Sequence, residues 1–112
     1  MNPPSKYELS PGKAAQLDSM FDYADGSIVS RILVKREHTS ITLFALDEGQ
    51  GLSEHTSSSD AVVYILGGEA EVVVAKKQLR VKSGDAVLLP ANEPHELKAV
   101  TRFKMLLIMM RS

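Results

Sequence analysis

From residue 28 onward this chain of 112 residues is cut into apolar stretches of strand length by glycine, proline and short polar clusters. Stretches this short do not make helices of several turns, and a chain assembled from many of them has to pair them into sheets. The pattern places strands near residues 27–35, 39–47, 52–56, 61–67, 69–75, 78–82, 86–90, 95–100 and 103–110. In QLRVKSGD, Leu79 and Val81 alternate with Arg80 and Lys82, as on a strand with one dry and one wet face, and Ser83, Gly84 and Asp85 make the turn. The runs AVVYIL, AVLLP and MLLIMM lack this alternation, so they are covered on both faces, inside a sandwich or against another subunit. Many short strands favour a barrel or a two-sheet jelly roll, which also removes exposed edges.

The segment before residue 28 reads differently. Residues 1–10 are polar and hold Pro3 and Pro4, which suits an arm or an edge. Ser10 followed by Pro11 reads as an N-cap with proline at the first helical position, and Ala14, Leu17, Met20 and Phe21 then share one helical face. The expectation is an all-β chain with one short N-terminal helix, divided into an arm and helix over residues 1–27 and a β-barrel over residues 28–112.

Thirteen basic and fourteen acidic residues give a formal net charge of -1, with no block of like charge to attract nucleic acid or an anionic membrane. The absence of cysteine excludes disulfides and thiolate chemistry, leaves histidine and carboxylate as metal ligands, and fits a reducing compartment. No stretch approaches the roughly 20 apolar residues that span a bilayer. A cytoplasmic protein is expected.

The chemistry centres on two histidines. Strand alternation points His55 and Ser57 to one face and Glu54 and Thr56 to the other. His95 follows a tight turn bracketed by Pro90 and Pro94. If both rings look into the barrel, they meet across it and act as metal ligands, or as a base and a polarising group. Tyr64 either turns its hydroxyl into the same cavity or is core. His38 reads as an exposed turn residue, Lys76 and Lys77 as a hairpin tip, Arg102 and Lys104 as ordinary surface, and Met105, Met109 and Met110 as core or interface packing.

Two spaced motifs carry a family resemblance. Gly49, five residues, His55 and the closing Gly68 follow the first motif of the cupins, G(X)5HXH(X)3,4E(X)6G. Gly84, Pro90 and His95 follow the second, G(X)5PXG(X)2H(X)3N. Over residues 28–110 the chain resembles a small single-domain cupin, which implies a conical two-sheet jelly-roll barrel and a homodimer. Metal-binding cupins draw two histidines and a glutamate from the first motif and one histidine from the second. Here Ser57 stands at the second histidine, Ala61 at the glutamate with Asp60 beside it, Asn92 at the inner glycine and Ala99 at the closing asparagine.

Only His55 and His95 remain of the four ligands that the resemblance implies. A divalent transition metal (manganese, iron, nickel or zinc) is then bound weakly if at all, with Asp60 a third ligand only where a bulge turns it inward. The other reading is a barrel that holds a small polar metabolite beside His55, Ser57, Tyr64 and His95. Three functions stay open: a metal-dependent isomerase, dioxygenase or decarboxylase, a non-catalytic binding module, and a subunit whose barrel is filled by its own side chains. FKMLLIMM, apolar on both faces, points independently to a twofold mate.

Overall fold

The computed structural model of the chain describes residues 9–111, so the proline-bearing arm expected before Leu9 lies outside the described residues. Nine strands follow in order: β1 Ile28–Lys35, β2 Thr39–Leu46, β3 Gly51–His55, β4 Asp60–Gly67, β5 Glu69–Val74, β6 Lys77–Lys82, β7 Ala86–Leu89, β8 His95–Ala99 and β9 Phe103–Met110. Each lies within about a residue of its expected span, because period-two patterning and turn residues are local signals. They form two antiparallel sheets, ordered β1-β2-β9-β4-β7 and β3-β8-β5-β6, packed face to face as a jelly-roll barrel.

The inner faces follow from alternation. Ala61, Val63 and Ile65 of β4, Phe103 and Met105 of β9, Ala70 and Val72 of β5, and Leu97 and Ala99 of β8 share one buried cluster with Leu46, Val81 and Leu89. Phe44, Leu107 and Met109 pack against it. Fully burying one such aliphatic or aromatic side chain stabilises the fold by about 1.5–3 kcal/mol. At the end of β4 the ladder slips between Ile65 and Gly67, and Gly68 follows with φ +83°. A Cβ on Gly68 would overlap the Arg102 carbonyl and the Phe103 side chain, so this corner requires glycine.

The N-terminal segment is not the helix that Ser10-Pro11 suggests. The Lys13 N–H donates to the Ser10 carbonyl across Pro11 and Gly12, with Gly12 at φ +72°. Proline and then a positive-φ glycine at the two central positions make a β-turn, and helix is confined to one 3-10 turn at Leu17–Ser19. The segment instead lies over the outer face of β1, β2 and β9. Leu9 pairs with Leu33, Arg31 sits 5.2 Å over the Phe21 ring, and Leu43 and Ala45 on that face are fully buried.

Lys104, expected at the surface, is 6% exposed there. Its ammonium donates to the Asp18 carbonyl and lies 5.1 Å from the Tyr23 ring centre. Arg102 is likewise more than surface charge: it bonds Asp25 and Asp47 at 2.7 Å each. Among the described residues no helix is long and apolar enough to cross a membrane.

Candidate functional site

The site is built on the β3–β8 ladder, where one extra residue decides which side chain faces inward. Leu52 pairs with Leu97, but His95, two residues before Leu97, faces His55, three residues after Leu52. A regular strand would set Glu54 opposite His95. The bulge in β3 brings His55 there instead, onto the inner face that His95, Leu97 and Ala99 already occupy.

The two rings meet edge to face, with centres 4.4 Å apart and planes at 72°. Their Nε2 atoms are 3.2 Å apart. Each ring folds back on its own chain: His55 Nδ1 lies 2.7 Å from the Ser53 carbonyl and His95 Nδ1 3.1 Å from the Glu93 carbonyl. A carbonyl only accepts, so Nδ1 of each ring carries a proton; in the neutral form of a ring Nε2 then presents a lone pair, and a proton on one Nε2 turns the contact between the rings into a hydrogen bond. Two lone pairs at that distance repel unless a positive centre or a hydrogen-bond donor sits against them. His95 is 5% exposed, whereas His55 is open to solvent.

The other expected site residues do not join the pair. The Ser57 hydroxyl accepts from the Ser59 N–H at 3.1 Å, and the Ser57 carbonyl accepts from the Asn92 N–H at 2.7 Å. Asp60 Oδ1 accepts from the Ala91 N–H at 2.8 Å. Ser57, Asp60 and Asn92 thus tie the loop after β3 to the loop before β8, with Asn92 at φ +67°. Asp60 also lies at the outward parity of β4, so the bulge that would make it a third ligand is absent. Tyr64, expected in the cavity or in the core, is in neither: between inward Val63 and Ile65 it faces outward, 38% exposed. His38 is exposed, 3.6 Å from the Glu37 carboxylate.

Among the described residues no group of three or more histidine, cysteine, aspartate or glutamate side chains is placed to hold a metal ion. A catalytic zinc takes three protein ligands and a structural one takes four. The donor set of His55 and His95 alone therefore does not fit a resident metal.

A small antiparallel jelly-roll barrel with two inward histidines, one from each of two spaced motifs, defines the class to which this molecule belongs. The cupin domain family matches residues 42–110, and the chain belongs to that family. It is 36% identical to a conserved protein of unknown function from Streptococcus pyogenes, with a TM-score of 0.87 over 93% of this chain and 91% of that one. A cupin superfamily protein from Desulfitobacterium hafniense superposes with a TM-score of 0.86 at 26% identity, over 93% of this chain and 95% of that one. An uncharacterized protein of Streptomyces coelicolor is 26% identical over 68 residues, which span 61% of this chain and 65% of that protein's length.

Proposed function

We propose that the chain is a small-molecule-binding cupin domain in which His55 and His95 together receive a polar group of a metabolite. The observation that carries this reading is the pair of Nε2 acceptors 3.2 Å apart, each ring held by a backbone carbonyl at its other nitrogen. A hydroxyl or ammonium group of a ligand supplies the donor that relieves their mutual repulsion, and the ring positions are set before the ligand arrives.

The test is thermal denaturation of the protein and of His55→Ala and His95→Ala against a panel of small polar metabolites. A binder at 100 times its Kd adds about 2.7 kcal/mol to stability by mass action. A compound that raises the melting temperature of the parent and of neither variant supports the reading. Equal shifts in all three proteins overturn it.

A second reading, a metal-dependent enzyme, draws on the same spacing, since two ligands on a tetrahedral ion with bonds of about 2.0–2.1 Å stand about 3.3 Å apart. It needs ligands from outside the described residues. Elemental analysis after soaking with manganese, iron, nickel or zinc tests it: one metal per chain, lost in both alanine variants, favours the enzyme.

We further propose a homodimer. On the outer face of β4, β7 and β9, Val62, Tyr64, Leu66, Leu88, Leu106 and Ile108 form an apolar surface, with the charges of Asp60 at the start of β4 and of the buried Lys104 at its margin, and Leu88 is 57% exposed. A face uniform in this way is complementary to itself under a twofold axis.

A further inference from the structure

The barrel end that carries the histidines has an opposite wall. β3 ends at His55, and the loop over residues 56–59 leads to Asp60 at the start of β4. Asp60 pairs with Met110 at the end of β9, which pairs with Thr39 at the start of β2. The β1–β2 turn therefore stands at the same end of the barrel as the histidine pair.

A hollow of about 160 Å³ opens at that turn, lined by Lys35, Arg36, Glu37, His38, Thr39, Ser40, Ser59, Met109 and Arg111. Ser40 and Met109 are register partners, and Met109 packs on the core, so the hollow borders the barrel interior and not an outer sheet face. At about 30 Å³ per water, it has room for a carboxylate or a phosphate group.

Among the described residues that line it, Lys35, Arg36 and Arg111 are cationic and Glu37 is anionic, while the hydroxyls of Ser40 and buried Ser59 add neutral donors. Arg111 is anchored twice to the turn: its backbone N–H donates to the His38 carbonyl at 2.7 Å and its Nη2 to the Glu37 carbonyl at 3.0 Å. That side-chain bond uses one of the five guanidinium N–H groups and holds the planar fork in place, a preorganised receiver for two oxygens of an anion.

We infer that this hollow is an oxyanion subsite, centred on Arg111, for the carboxylate or phosphate group of the small molecule that the barrel binds. The inference rests on the reading that this end of the barrel receives a ligand, and it narrows that ligand to a small acid.

Backbone-amide NMR titration with inorganic phosphate, and separately with acetate, at ionic strength held constant with sodium chloride, tests it. Saturable shifts at Ser40, Ser59 and Arg111 are expected with at least one of the two anions. Arg111→Gln should weaken that binding about tenfold or more, and Arg111→Lys, which keeps the charge and loses the fork, should weaken it less. His95→Ala should leave the response in place, so failure of the histidine reading and failure of this one are separable. Shifts that do not saturate, that appear equally at Lys76 and Lys77, or that persist in Arg111→Gln overturn the subsite. Loss of the response in His95→Ala assigns the anion to the histidines and overturns it too.

Discussion

Asp47 shows how much one side chain joins here. Its carboxylate accepts from the Gly26 N–H at 2.6 Å, from Arg102 Nε at 2.7 Å and from the Glu48 N–H at 2.9 Å. Those bonds, the Gly26 N–H foremost and the guanidinium next, hold its pKa at about 2 against an ordinary 3.8. A carboxylate whose pKa is depressed on folding stabilises the fold at every pH above its unfolded value, and the contribution fades as pH falls through the folded one. Asp47→Asn should therefore lower the melting temperature at pH 6, and the gap to the parent should close between about pH 4 and pH 2. A gap independent of pH would assign the effect to lost hydrogen bonds alone. Gly68 is a steric counterpart: Gly68→Ala forces a Cβ into the Arg102 carbonyl at a positive φ, and chemical denaturation should show a loss of about 3 kcal/mol.

At the scale of elements, hairpins and loop ties set the geometry. The β5–β6 hairpin turns through Ala75 at φ +48° and Lys76 at φ +70°, both left-handed and neither glycine. A two-residue turn with both centres at positive φ favours Asn-Gly, and an L side chain there costs on the order of 1 kcal/mol. The double variant Ala75→Asn with Lys76→Gly should raise unfolding free energy by about 1–2 kcal/mol in urea titration, and an unchanged midpoint would contradict the strain. The loops that carry the histidines are tied by Asp60 to Ala91 and by Ser57 to Asn92. Asp60→Ala removes a charged acceptor from the Ala91 N–H, worth about 1.5–3 kcal/mol at most, and should broaden the ring resonances of His55 and His95 in NMR. Sharp, unshifted resonances would show that the pair stands without this tie.

For the whole molecule, the proposed dimer makes the outer face of β4, β7 and β9 its test. Light scattering should give about twice the 12.2 kDa chain mass, and Leu88→Lys, with a charge at the most exposed point of the face, should return the monomer. A monomeric parent at micromolar concentration overturns the dimer. Strand positions and the all-β class were legible in the residues because period-two patterning and turn chemistry act between neighbours, and the cupin family was legible because motif spacing survives substitution. The length of the N-terminal helix was not, since proline before glycine serves a turn as readily as a helix start. Nor were the direction of Tyr64 or the burial of Lys104. A side chain's facing on a strand depends on register against a segment dozens of residues away, and its burial depends on what later lies over it. The residues alone determined that His55 and His95 stand in matching motifs of a two-sheet barrel. Only the tertiary structure, through one extra residue in β3 paired against β8, decided that their nitrogens face each other at 3.2 Å.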